Sequence, residues 1–285
     1  MAAAPFDYQR PATLEEAFSF LSVEGARPLA GGHSLLPAMK LRVSNPTALV
    51  DISRIPGMGA IEQNGAGLTI GALTTHEAVA ASGVVVAECP LLAETARQIG
   101  DGQVRARGTI GGSIAHADPA ADYPTALVAL GATVNTASAG GTRQIAAGDF
   151  FVDIFTTALE PGELVTSVTV PSMPAGTGGA YLKHRHPASS YAVVGVAALV
   201  MLDGGSITGA RLVVGGVAGK PVTVDVSGLA GQAPSAEAFT TAAGAVDGAL
   251  DNPIGDLYAS GEFRVHLAGV LAKRALAVAA VRAAG

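Results

Sequence analysis

The sequence predicts an α+β fold on three observations. Near the N-terminus, a short apolar stretch runs through the pair Gly31-Gly32 into a brief helical pattern and then a second apolar stretch, as in a β–loop–α–β unit. From Gly59 to Pro171, strand-like runs broken by glycines mix with segments whose apolar residues recur three and four apart, the spacing of a helix face. Beyond Pro171, three strand-like runs precede two helical ones, an order that packs helices on one face of an antiparallel sheet. The 285 residues, 49% hydrophobic and 14% charged, are enough for one large domain or two to three smaller ones with a substantial core.

Each element has a local reason. Thr13-Leu14-Glu15-Glu16 is a capping-box pattern, and Leu14, Ala17, Phe18 and Leu21 continue it at helical spacing. Arg27 to Ala30 reads as a strand, Ser34 to Leu41 as a brief helix and Thr47 to Ile52 as a second strand. His76 to Ala81 and Pro90 to Ile99 read as helices, and Pro90 suits a first turn because no N–H is needed there. Asp122 to Leu130 is a helix with Asp122 as its cap, and strands follow at Ala132–Thr136 and Glu163–Pro171. Pro171 to Gly179 is the linker. The C-terminal part then has strands at Ala180–His184, Val193–Leu202 and Ile207–Gly215, and helices at Ser235–Leu250 and Phe263–Ala283.

Composition excludes several classes. Seventeen basic residues against 23 acidic ones give a formal charge of −6. No run of Lys and Arg alternates with aromatics, so no nucleic-acid surface is expected. The single cysteine, Cys89, cannot form an internal disulfide, and alone it cannot hold an iron–sulfur cluster. None of the six histidines falls at a metal-site spacing: His184 and His186 would share one strand face, without a third ligand nearby. The start lacks a basic segment followed by an apolar core, and the longest apolar run, Ala192 to Leu202, is too short to span a bilayer. A cytoplasmic chain with no membrane span is expected.

Two segments carry the chemistry, Ala30-Gly31-Gly32-His33-Ser34 and Thr109-Ile110-Gly111-Gly112-Ser113. Glycine has no Cβ, so its backbone can approach a ligand closely and turn successive N–H groups toward an anion. Either segment alone reads equally well as a tight turn. Two of them suggest a ligand with two phosphates, gripped from both sides.

The stretch Leu29 to Arg42 (LAGGHSLLPAMKLR) closely resembles the first flavin-binding loop of the FAD-carrying medium subunits of molybdenum hydroxylases. Arg107 to Asp122 (RGTIGGSIAHADPAAD) matches the second loop, and the resemblance continues through Lys183 to Ala197 and Gly261 to Leu271. His33 and the segment Pro187-Ala188-Ser189-Ser190-Tyr191-Ala192 look most like the carbon monoxide dehydrogenase branch. The resemblance implies a two-lobed FAD-binding domain of the PCMH/vanillyl-alcohol-oxidase type over residues 1–175, with lobes of about 1–55 and 56–175. A C-terminal domain of the CO-dehydrogenase-flavoprotein kind, with an antiparallel sheet and helices, would occupy residues 176–285.

The resemblance also implies residue roles. Ala30, Gly31, Gly32, His33, Ser34 and Leu35 would cradle the FAD pyrophosphate, with Thr109, Gly111, Gly112 and Ser113 as the opposite wall. Asp122 would bond the sugar portion, Ile99 and Val165 would give backbone or apolar contacts, Lys183 would stand near the flavin ring, and Tyr191 would shield one of its faces. His33 and His116 are read as positioning residues; Arg105 and Arg107 could offset phosphate charge or face a partner, and for Arg105 in particular plain surface exposure without a role stays open. No catalytic or metal-binding residue is expected in this chain. Substrate would be oxidised in a molybdopterin-containing large subunit, and electrons would pass through 2Fe–2S clusters of a small subunit to FAD here and on to an external acceptor, in a dimer of heterotrimers. Two alternatives remain open: a stand-alone FAD-dependent oxidase or reductase of the same fold, and a non-catalytic nucleotide-binding or assembly module.

Overall fold

The computed structural model describes residues 2–65 and 67–285. The chain begins with β1 (Asp7–Gln9), α1 (Leu14–Leu21), β2 (Ala26–Leu29), α2 (Leu35–Lys40) and β3 (Ala48–Asp51), which build a three-stranded parallel sheet in the order β1-β3-β2. Thr13 caps α1 by accepting a hydrogen bond from the Glu16 amide at 3.2 Å, and the Glu16 carboxylate accepts from the Ala12 amide at 2.7 Å. The reciprocal bond thus lands one residue before the cap.

The next region contains β4 (Ile61–Asn64), β5 (Gly67–Gly71), α3 (His76–Ala81), α4 (Gly83–Glu88), α5 (Pro90–Arg97), α6 (Gly102–Arg105), α7 (Ile110–His116) and α8 (Asp122–Leu130). It closes with β6 (Thr133–Ser138), β7 (Gly141–Ala146), α9 (Ala147–Phe150), β8 (Phe151–Asp153), β9 (Thr156–Thr157) and β10 (Leu164–Pro171). Strands β4-β5-β10-β6-β7 form an antiparallel sheet. Two features differ from the sequence reading. The second glycine segment is the first turn of a helix, because the Thr109 hydroxyl accepts from the Gly112 amide at 3.1 Å and so caps α7. Asp122 does not cap α8: Ala121 holds that position, while the Asp122 side chain is drawn away to Lys183.

The C-terminal part consists of β11 (Thr177–Arg185), β12 (Ala192–Asp203), β13 (Ser206–Gly215), β14 (Val222–Val224), α10 (Ala236–Ala243), α11 (Ala245–Ala249) and α12 (Gly261–Ala284). Its sheet is antiparallel in the order β11-β12-β13-β14. Thr177 already pairs with Met201, so the chain between β10 and β11 is shorter than the linker read from the sequence. The single helix expected over Ser235–Leu250 is split at Gly244.

Side-chain alternation explains why β12 is buried along most of its length. Tyr181, Ala197, Leu199 and Val213 point into the first core with α5 and α8, while Ala180, Val196, Ala198, Val200, Leu212 and Val214 point into a second core against α12. The sheet is sandwiched between helices of the two halves. That packing, with the Ala192 amide donating to the Ala120 carbonyl at 3.1 Å, holds the β11–β12 turn, which carries Ser189 and Tyr191, beside the start of α8 at the cavity wall.

Candidate cofactor site

A cavity of about 500 Å³ lies between the two glycine segments, within the range of cofactor and ligand sites. Gly31 is where the segments meet. A Cβ built on it would lie 2.2 Å from the Arg107 carbonyl oxygen and 2.9 Å from Gly108 Cα, so the approach excludes any side chain. Gly32 has φ +75°, which turns the following backbone toward the cavity.

The first segment offers open amides. Gly31, Gly32, His33, Ser34 and Leu35 line the cavity, and among the described residues their N–H groups have no acceptor. Ala30 lines it beside them, and the His33 ring folds back on the Gly31 carbonyl at 3.2 Å. The Ser34 hydroxyl makes no helix-capping bond and faces the Tyr191 phenol. Successive outward N–H groups favour an oxyanion.

The second segment contributes differently. Its amides are committed inside the protein: Ile110 donates to Thr74, Gly111 to Ala72, Gly112 to the Thr109 hydroxyl and Ser113 to the Thr109 carbonyl. Its free donors are the Thr109 amide and the Thr109 and Ser113 hydroxyls, all on the cavity wall. Gly111 and Gly112 also line the cavity, and a Cβ on Gly111 would lie 2.4 Å from that of Ala72. The missing side chain of Gly111 lets α7 press against the chain after β5, and that of Gly112 leaves room for the Thr109 hydroxyl, where a Cβ would come within 2.8 Å.

Asp122 is 4% exposed and lines the cavity. Its Oδ1 accepts from Tyr181 at 2.7 Å and from Lys183 Nζ at 2.8 Å, and its Oδ2 accepts from Lys183 at 3.0 Å. Oδ2 therefore keeps room for one further donor. Burial pushes the Asp122 carboxyl upward, opposed by the Lys183 ammonium, and burial pushes Lys183 downward.

Lys183 is the one expected site residue absent from the cavity wall. Its Nζ is consumed by Asp122 and by the Ser190 carbonyl at 2.8 Å. A buried ammonium needs such partners, so its charge goes to a carboxylate rather than facing the cavity. Ile99 and Val165 form apolar wall, and Tyr191, 41% exposed, stands at the mouth. Arg105 pairs with Glu77 at 2.9 Å and donates to the Ile99 carbonyl at 3.2 Å.

These donors fit a molecule carrying two phosphates and hydroxyl groups. The family of the FAD binding domain in molybdopterin dehydrogenase matches residues 4–173, and the CO dehydrogenase flavoprotein C-terminal domain matches residues 179–279. The chain belongs to this family. It is 37% identical to the carbon monoxide dehydrogenase medium chain of Afipia carboxidovorans, with 99% of each chain covered. Its fold is similar to that of a chain in carbon monoxide dehydrogenase from Hydrogenophaga pseudoflava, with TM-score 0.95, 38% identity and 99% of each chain covered. It also resembles one in quinoline 2-oxidoreductase from Pseudomonas putida 86, with TM-score 0.94, 32% identity and 99% of each chain covered. The α+β fold is thus that of an FAD-binding domain followed by the flavoprotein C-terminal domain, in a flavoprotein subunit of molybdopterin oxidoreductases.

Seen as an FAD-binding domain, the chain has wall residues that the sequence reading did not single out as contacts: His76, Leu73, Leu164 and Phe155. His76 sits directly after the Thr75 cap of α3, and nothing in its local sequence marks it. Phe155 reaches the wall with φ +51°, a conformation rare for an aromatic residue, and its ring lies 5.0 Å from that of His116. His116 itself is pushed down by burial, against Asp118. Among the described residues no cluster of His, Cys, Asp and Glu forms a metal set, and no helix is long and apolar enough to cross a membrane.

Proposed function

We propose that this chain carries FAD as the electron-transfer subunit of a molybdenum hydroxylase of the carbon monoxide dehydrogenase type. The observation that carries the reading is the row of open amides from Gly31 to Leu35, facing the hydroxyls of Thr109 and Ser113 across one cavity. Bound there, FAD supplies exchange between one-electron donors and a two-electron acceptor.

The chain's own residues bind, orient and insulate. The amides of 31–35 and the Thr109 and Ser113 hydroxyls hold the two phosphates, with Ala30, Gly111 and Gly112 supplying the close approach. Asp122 Oδ2 accepts from a sugar or ribityl hydroxyl, and Lys183 acts one step back by keeping that carboxylate charged and aimed. Ile99 and Val165 exclude water, and the Tyr191 ring covers one face of the isoalloxazine at the mouth. His33 and His116 position rather than exchange protons with substrate.

Substrate is oxidised in a molybdopterin-bearing partner, and 2Fe–2S clusters in a second partner deliver electrons to this chain for an external acceptor. The similarity to chains of both a carbon monoxide dehydrogenase and a quinoline oxidoreductase supports a chain shaped by electron relay rather than by substrate. Purification from its source tests this. Equimolar FAD, an iron–sulfur chain and a molybdopterin chain in one complex, with the flavin reduced only when they are present, is the expected result. A lone yellow chain that oxidises a small substrate by itself would establish the stand-alone oxidase instead.

A further inference from the structure

His76, at the start of α3, is buried beside the clasp and belongs to neither glycine segment. Its position is rigid: the His76 amide donates to the Gly108 carbonyl at 2.9 Å, and the Ile110 amide donates to the Thr74 carbonyl at 3.0 Å, on either side of a Thr75–Thr109 bridge. The ring lies against Gly108, where a Cβ would come within 2.5 Å of Nε2. Gly31 closes on that same Gly108 from the other segment. The imidazole therefore borders the point where the two glycine segments meet.

The residue is 5% exposed, and its ring forms part of the cavity wall. Among the described residues Nδ1 is sealed without a partner, and so is the hydroxyl of Tyr123, whose ring centroid lies 5.3 Å away. Burial, with His33 and Arg105 nearby, holds the imidazole down to about 4, so it is neutral at physiological pH. One nitrogen of a neutral ring carries a proton and the other is bare. A sealed N–H without an acceptor costs more than a sealed bare lone pair. The proton accordingly belongs on Nε2, the nitrogen not sealed from the cavity.

We propose that His76 is a further cofactor-binding residue, with its Nε2–H donating to an oxygen of the diphosphate held between the two glycine segments. The proposal rests on reading the cavity as the FAD site. Its geometry is preformed, because the α3 backbone is tied to the segment that supplies the Thr109 and Ser113 donors.

The test measures binding of FAD, ADP-ribose and riboflavin to the full-length chain, wild type and His76→Phe. ADP-ribose shares the diphosphate with FAD, and riboflavin lacks it. Loss of one hydrogen bond to a charged group weakens FAD and ADP-ribose about tenfold to hundredfold, with riboflavin unchanged. His76→Gln, which keeps an N–H donor, recovers part of the loss. Equal weakening of all three molecules, or of none, overturns the proposal. A wild-type chain that binds neither FAD nor ADP-ribose instead overturns the reading of the cavity. Should both variants fail to fold, nitrogen-15 NMR of wild-type His76 decides the matter. An Nε2–H tautomer whose resonance shifts with ADP-ribose is expected, and a proton on Nδ1, or no shift, refutes the assignment.

Discussion

Lys183→Met isolates the buried ion pair at the cavity wall. Both partners are nearly inaccessible, with side chains 1% and 4% exposed for Lys183 and Asp122. The substitution removes two hydrogen bonds from Asp122, at 2.8 and 3.0 Å, and leaves the one from Tyr181 at 2.7 Å. Breaking a buried pair from one side costs about 3–5 kcal/mol, because the remaining charge is uncompensated. Asp122 responds by binding a proton, since burial already pushes its carboxyl upward. A carboxyl whose folded value exceeds the unfolded one destabilises as pH rises through that folded value, so the penalty is largest in alkali and shrinks in acid. Urea titration at about pH 8 and about pH 5.5 should give a smaller difference from wild type at the lower pH, by up to about 1.4 kcal/mol for each pH unit below the shifted value. The double variant Asp122→Asn/Lys183→Met should recover most of the loss, because no buried charge remains. FAD affinity should fall with Lys183→Met, as a protonated Asp122 accepts less well from a ligand hydroxyl. A penalty below about 1 kcal/mol, or one independent of pH, would refute the claim that Lys183 serves Asp122.

Further outcomes follow from the same geometry. Gly31→Ala forces a Cβ to within 2.2 Å of the Arg107 carbonyl oxygen; spreading the clasp should weaken FAD binding at least about a hundredfold by flavin-fluorescence titration, about 3 kcal/mol. Tyr191→Ala, at a residue 41% exposed, should change stability by less than about 0.5 kcal/mol yet raise bound-flavin fluorescence as a stacking quencher is lost. Glu163 is held at about 2 from an ordinary 4.5, mainly by the Arg143 guanidinium, with help from the Thr136 hydroxyl and the Glu160 amide. Its stabilisation is complete above 4.5 and vanishes as pH falls toward 2. Glu163→Gln should cost about 2 kcal/mol at neutral pH, discounted because Arg143 is 41% exposed, and the difference should disappear in acid denaturation below about pH 2.

Local chemistry was legible where near neighbours decide it. The Thr13 and Glu16 pattern, the proline-tolerant start of α5 and the 3.6-residue spacing in α1 all act within a turn or two, so the sequence shows them directly. The single helix expected over Ser235–Leu250 was too long because an isolated glycine is tolerated in such a pattern, and whether the chain breaks there depends on packing. The separation of Asp122 from Lys183 by 61 residues hides their pairing. A carboxylate at a helix start looks like a cap, and a lysine at a strand looks solvated. His76 escaped notice for the same reason, since its isolation from partners is a property of Tyr123, Gly108 and the cavity together.

By itself, the sequence determined the α+β class, the two glycine segments and the family, because propensity, periodicity and motif order are written along the chain. Tertiary structure alone decided how the donors are divided. The first segment keeps its amides open, whereas α7 spends most of its own on Ala72, Thr74 and Thr109 and offers hydroxyls instead. It also decided that the Lys183 charge is given to Asp122. Both outcomes follow from burial: a polar group removed from water must find a partner, and which partner is within reach is settled only when distant segments pack together.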